Sequence, residues 1–199
     1  MGLIDLTSSV QIQRGLGSTS LAVPSAGGTV SVNTRAAEVD PGSGIKMSIG
    51  DNSYQKFTAF HNTGVNELGW SSSFLLGFWQ GDGWRNGMQG EGTTYAFSVG
   101  YTPRGGDHEF NFSLIGAGQW HHQAYYGTQL QDYLDYGPIQ GDDYRKFNQL
   151  YGDYQGEEFS VLRNYYNKPL ATFNWDWDIS SNVTLATSLY GSAGRGGGT

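Results

Sequence analysis

The chain has 199 residues, 31 of them glycine and 29 of them Phe, Trp or Tyr, with only 15% charged and a formal net charge of −7. That balance argues against a nucleic-acid partner, which would need clustered Lys and Arg, and the absence of cysteine removes disulfides, thiolate metal sites and a Cys nucleophile. No run approaches the ~18 consecutive apolar residues of a membrane helix, but a β-barrel stays open, since only alternate residues of its strands meet lipid.

The N-terminus, MGLIDLTSSV, has neither the basic nor the apolar region of a signal peptide, and Leu6 breaks the myristoylation pattern. Next come Val10-Gln11-Ile12-Gln13-Arg14-Gly15, then Leu16-Gly17-Ser18, then Pro24 through Gly27-Gly28-Thr29 to Thr34-Arg35. This reads as two short strands joined by a Gly/Ser-rich loop, the second ending at a basic residue. From about residue 44, segments of roughly ten residues alternate with period 2, the length and pattern of barrel strands.

Weaker strands are expected at 44–50 and 54–62 around Asp51-Asn52-Ser53. Residues 68–79 place Trp70, Phe74, Leu76 and Phe78 on one face, and Leu75 and Trp79 interrupt the polar one. Residues 92–102 put Tyr95, Phe97, Val99 and Tyr101 together; after the turn at 103–107, residues 108–118 do the same with Phe110, Phe112 and Leu114, which predicts a hairpin. Ala171, Phe173, Trp175 and Trp177 alternate with polar residues before Ser180-Ser181-Asn182, and Val183, Leu185 and Leu189 complete a second hairpin. The count is about seven strands.

Alternation alone fits a soluble β-sandwich equally well, because one buried face gives the same pattern. Two features favour a membrane barrel. Aromatic residues bracket the apolar stretches as interface girdles do, and Trp70 to Phe78 would span ~27 Å along a strand, or ~20 Å once tilted, close to the height of a lipid band. Connections also alternate in length: 63–67, 103–107 and 179–182 are short, whereas 80–91 and 119–168 are long, with 51–53 an exception.

The segment from Val10 to Arg35 resembles the end of the plug domain of TonB-dependent outer-membrane receptors, where a strand ending in Arg-Gly precedes a Ser/Gly loop, then Gly-Gly and a strand closing on Thr plus a basic residue. The matching positions are Arg14, Gly15, Gly27, Gly28 and Thr34. The resemblance extends through the strands that follow. It implies an all-β transmembrane antiparallel barrel of about 22 strands around a plug, of which this chain would hold a truncated open sheet of about seven. The divisions expected are 1–35 for the plug end, 36–43 for a linker and 44–199 for the first part of the barrel. Also implied are the outer membrane of a Gram-negative bacterium, contact with its lipid, a TonB complex of the inner membrane engaged through a missing N-terminal segment, and a nutrient ligand such as a siderophore, cobalamin, a glycan or a peptide. Arg14 would pair with carboxylates on the barrel wall, and residues 1–35 would pack on the concave side of the sheet.

Chemical motifs are weak. Arg14 to Ser20 brushes against a dinucleotide fingerprint, but Ser20 stands where the third glycine belongs and no βαβ unit follows. His121-His122 would point to opposite faces of a strand, and Glu157-Glu158 or Asp142-Asp143 lack anything to fix their spacing as an acid–base pair. The sequons at Asn111 and Asn182 fall within expected strands, and no nucleophile motif appears, so neither an enzyme nor a cofactor is expected. The segment 119–168 is long for a loop and rich in aromatics. Trp120, His121, His122, Tyr125, Tyr126, Tyr133 and Tyr136 are its candidate extracellular ligand contacts, packing between loops being the alternative. A passive porin, and a surface adhesion protein without transport, remain the other readings.

Overall fold

The computed structural model describes residues 7, 9–15, 27–125 and 127–198. Strands β1 (Ser9–Arg14) and β2 (Gly28–Asn33) form a separate antiparallel hairpin with Arg14 opposite Gly28. At Gly28 φ is +127° and a Cβ would meet the Gln13 carbonyl oxygen at 2.5 Å, so the motif glycine is required by close backbone approach. A 3-10 turn, Ala36–Glu38, then leads into the main sheet.

That sheet runs through β3 (Gly42–Ile49), β4 (Gln55–Asn62), β5 (Trp70–Gly81), β6 (Gly90–Tyr101), β7 (His108–Gly116), β12 (Leu170–Ser180) and β13 (Val183–Ser192), every neighbour antiparallel. Three of these strands are extended beyond a short break: β8 (Gln119–His122) continues β7, β11 (Arg163–Asn167) precedes β12, and β14 (Arg195–Gly198) follows β13. Their pairing keeps the register of the parent strands, with Trp120 opposite Glu91 on one side and Tyr165 on the other. Seven staves of an antiparallel wall result, as the alternation predicts. The wall is open, with β3 and the β13–β14 stave at its two sides.

Burial in the wall is the reverse of a soluble sheet. Ile45, Met47, Phe57, Phe74, Leu76, Phe78, Phe97, Phe112 and Phe173 share one exposed face. The buried face carries Thr58, Asn62, Ser71, Ser73, Ser98, Asn111 and Ser113. On it Leu75, Ala96, Phe60 and Ile115 form a small apolar cluster, and the Leu75 that interrupts the polar pattern is its fully buried centre. A row of rings, Trp70, Tyr101, Phe110 and Trp175, crosses four adjacent strands near the short turns. Apolar side chains outside and hydroxyls inside satisfy lipid and lumen respectively.

The expected hairpin from 92–102 and 108–118 is present, with Tyr95, Phe97, Val99, Tyr101, Phe110, Phe112 and Leu114 on one face. Short connections at 63–69, 102–107 and 181–182 lie at one end of the wall. The end that holds 50–54 also holds 82–89 and 123–162. The segment 119–168 is not all loop: its two ends are β8 and β11, paired with each other. Between them lie an α-helix, α1 (Leu130–Gln140), and a hairpin of β9 (Tyr151–Tyr154) with β10 (Glu157–Ser160).

Candidate functional site

Two places on the inner face carry the functional geometry. The first is where the N-terminal segment meets the wall. Ala36 is fully buried, its N–H donating to Asn111 Oδ1 at 3.2 Å, and Asn111 is itself locked to Ser98 and Ser113 by bonds of 3.0–3.1 Å. The 3-10 turn packs on β5 and β6. Arg35 Nη1 donates to Asp176 and, at 3.2 Å, to Glu109, joining the segment to β12 and β7. Burial opposes the Arg35 charge, but the hydrogen bonds and negative charges of Asp176 and Glu109 outweigh it and hold the guanidinium pKa above its ordinary value.

Arg35 thus pairs with wall carboxylates; Arg14, for which the resemblance implies such a partner, sits exposed at the end of β1. The reason is position. Arg35 directly precedes the 3-10 turn seated on the wall, while the β1–β2 hairpin leaves Val10, Ile12, Val30 and Val32 exposed. Among the described residues of 1–35, Arg35 is hydrogen-bonded to the wall.

The second place is the outer end of the inner face. Gly50, Asp51, Asn52, Tyr54, Trp79, Trp84, Met88 and His121 line a cavity of about 370 Å³. Its rings lie directly on the sheet because β6 is bare beneath them: a Cβ on Gly92 would meet Trp79 Nε1 at 2.5 Å, and one on Gly90 would meet His121 Cβ at 2.7 Å. An adjoining cavity of about 400 Å³ is lined by Asp82, Trp84, Arg85, Lys146, Tyr151 and Glu158 among others. Aromatic walls with a few polar groups are the usual make-up of a small-molecule pocket.

The long connection folds over this end and is pinned there. Asn148 is 1% exposed; its side chain donates to the Asn86 carbonyl oxygen at 2.9 Å, and its backbone N–H donates to Gln140 Oε1 at 3.0 Å. Gln140 Nε2 in turn donates to the carbonyl oxygens of Asn148 and Tyr151 at 2.8 and 2.7 Å. Arg85 Nη1 donates to the Tyr125 carbonyl oxygen, and Asn86 N–H to that of Lys146. Loops 82–89 and 123–162 thus form one hydrogen-bonded unit.

The candidate contacts are dispersed. Of the described ones, His121 alone lines the inner cavity. Trp120 faces the outside of the wall, its indole N–H donating to Glu91 Oε1 at 2.8 Å with Arg163 at 4.3 Å over its ring. His122 lies beside Trp120 and is partly buried; burial, then the charge of Arg163, push its pKa below the ordinary value against a hydrogen bond from its ring to the Gly87 backbone carbonyl. Tyr133 and Tyr136 pack on Phe147 from α1, and Tyr125 is exposed. Tyr126 lies outside the described residues. Tyr54, Trp79 and Trp84 are the cavity residues sequence reading missed, although Trp79 was visible as an aromatic ring on a polar face.

An N-terminal segment seated on the hydroxyl-lined face of an outward-apolar antiparallel wall defines the class: the chain has the fold of a TonB-dependent outer-membrane receptor. It superposes on the ferric-catecholate import receptor Fiu from E. coli K12, in its open form, with TM-score 0.70 and 16% identity, over 96% of this chain and 29% of that one. For the siderophore receptor PiuA from Acinetobacter baumannii the TM-score is 0.67 and the identity 14%, over 97% and 27%. The chain therefore spans less than a third of either receptor's length. No protein-family model and no curated protein sequence matches it.

Proposed function

We propose that the chain forms the plug end and first strands of a receptor that binds a scarce nutrient at the surface of a Gram-negative cell and imports it across the outer membrane with energy transduced by TonB. In this reading 1–35 belong to the plug, 36–43 link it to the wall, and 44–199 begin the barrel, whose open sides are continued by further strands. The observation that carries the reading is the segment Arg35–Glu38 seated across the inner face of a wall whose outer face is apolar. A passive pore has no use for such a cover.

The inner cavity at the loop end, with Tyr54, Trp79, Trp84 and His121, is the proposed ligand-contacting surface. Ferric siderophores are the first ligands to assay because one solved neighbour is by name a ferric-catecholate import receptor and the other a siderophore receptor; cobalamin, glycans and peptides come next. Residues 130–160 lie between membrane staves, so deleting them from the complete receptor should leave outer-membrane insertion intact and lower ligand binding and uptake at matched surface levels. Unchanged uptake after that deletion would reduce the long connection to a structural cover.

A further inference from the structure

Between α1 and the β9–β10 hairpin the outer connection holds a cavity of about 610 Å³. Each side of it follows from local periodicity. Tyr136, Ile139 and Gln140 stand at i, i+3 and i+4, so α1 turns one face towards it. On the hairpin, Tyr151 and Asp153 are two apart on β9 and Glu158 pairs directly with Asp153, so all three share a face. The two sides are held at a fixed spacing, because Gln140 Nε2 donates to the Tyr151 carbonyl oxygen at 2.7 Å and the buried Phe147 stacks on Tyr136. The cavity is therefore preformed.

Its chemistry is one-sided. Rings and the exposed Ile139 supply apolar wall, Asp153 and Glu158 supply negative charge, and among the described residues no Lys or Arg lines it. Like charges directly opposite on a ladder repel, so the hairpin carries a cost that a bound cation would remove. Burial, then a hydrogen bond to Glu158 and the negative charges of Glu158 and Asp153, hold the Tyr151 hydroxyl pKa above its ordinary value, which keeps that ring neutral. Residues 129–160 carry seven carboxylates against Arg145 and Lys146, so five of the chain's seven net negative charges gather on this connection. Such a field draws cations, and aromatic faces beside carboxylates suit an ammonium or guanidinium group on an apolar stem. The cavity also leads inward. Tyr151 and Glu158 line the neighbouring cavity of about 400 Å³ as well, where Arg85 and Lys146 bring positive charge, and that one shares Asn52 and Trp84 with the inner cavity over β6. Three compartments thus follow one another towards the wall, lined by carboxylates, by both charges and by rings in turn.

We propose that the cavity between α1 and the hairpin receives a lysine or arginine side chain of a peptide ligand, its stem against Tyr136, Phe147 and Tyr151 and its charge on Asp153 and Glu158, with the rest of the peptide leading inward through the other two compartments. This names a ligand class for the receptor proposed above and rests on that reading. A peptide fits the order of the compartments because one chain carries a cation, a polar backbone and apolar side chains. A polyamine would meet Arg85 and Lys146 in the middle compartment, and an anionic ferric complex would meet Asp153 and Glu158 in the outer one.

The test uses the complete receptor, purified in neutral detergent and titrated with the tripeptide Ala-Lys-Ala, with Ala-norleucine-Ala, which has the same apolar stem without the charge, and with spermidine. Saturation-transfer NMR reads binding and the protons in contact. The lysine peptide should bind roughly tenfold more tightly than the norleucine one, the worth of one charge-assisted hydrogen bond, with transfer strongest at the lysine ε-methylene. Asp153→Asn with Glu158→Gln should erase that preference. These changes are mild for the fold: Asn keeps the oxygen that accepts the Gly156 N–H at 2.8 Å, and the opposed charges are gone, so the unfolding midpoint should hold or rise. Glu157→Gln, on the same hairpin but outside the cavity lining, should keep the preference. Equal or absent binding of the two peptides, a preference that survives in the double variant, or an equal loss in Glu157→Gln would each overturn the proposal. So would spermidine binding as tightly as Ala-Lys-Ala, which would mark a bare cation site. Failure of the import reading looks different: the purified receptor would keep its lysine preference, and cells carrying it would show no TonB-dependent uptake of the peptide.

Discussion

At Arg35 one guanidinium answers two carboxylates, so its removal strands Glu109 and Asp176 in partly buried positions on the lumen face. Arg35→Gln should cost about 1–3 kcal/mol in urea unfolding of the complete receptor. Adding Glu109→Gln and Asp176→Asn should restore part of that loss, because the stranded charges go with it. Leu75 is the fully buried centre of a cluster that can collapse little, and Leu75→Ala should destabilise by about 2–5 kcal/mol in the same assay. His122 supplies the pH dependence. Its folded pKa lies below the unfolded value of about 6.5, so its contribution is complete above pH ~6.5 and is lost as the pH falls from there towards the folded pKa. Hydrogen-exchange protection of residues 82–89 and 119–122, corrected for the pH dependence of the intrinsic exchange rate, should therefore fall on acidification to about pH 5, and His122→Gln should flatten that response.

The elements differ in how far their residues disclose them. Strands β5, β6, β7 and β12 were legible because each alternates apolar or aromatic side chains with polar or small ones over most of its span. Leu75 and Trp79 looked like impurities in that pattern and are the core and the cavity wall, since a lumen face must also pack something. Helix α1 was hidden: LQDYLDYGPIQ contains Gly137 and Pro138, and what steadies it is Gln140 reaching the carbonyl oxygens of Asn148 and Tyr151. Strands β8 and β11 pair across forty intervening residues, and β14 has three glycines with no side-chain pattern to read. Arg35 was visible as a basic strand end, but its partners stand 74 and 141 residues away in sequence. Asn148→Ala should cut the bond to Asn86 and loosen loops 82–89 and 123–162, which Arg85 and the Asn86 N–H still tie together, seen as faster exchange in both with the wall strands unchanged.

For the whole molecule, the reversed burial means that the two faces of the wall obey different rules of substitution. A charge placed on the outward face at mid-band, as in Phe97→Lys, should destabilise the inserted receptor by about 2–4 kcal/mol, whereas the same change on an exposed outer loop should be near neutral. The six tryptophans divide along the same line. Trp70, Trp175 and Trp177 look outward at the short-turn end, Trp120 looks outward above the band, and Trp79 and Trp84 line the inner cavity. The protein therefore carries its own optical depth gauge. In vesicles whose acyl chains bear bromine, emission from the first three should be quenched most and that from Trp120 only when bromine sits near the headgroup. Trp79 and Trp84 should stay bright in any such lipid, yet dim or shift when a ligand fills the cavity, so one cuvette would report insertion and occupancy as separate signals.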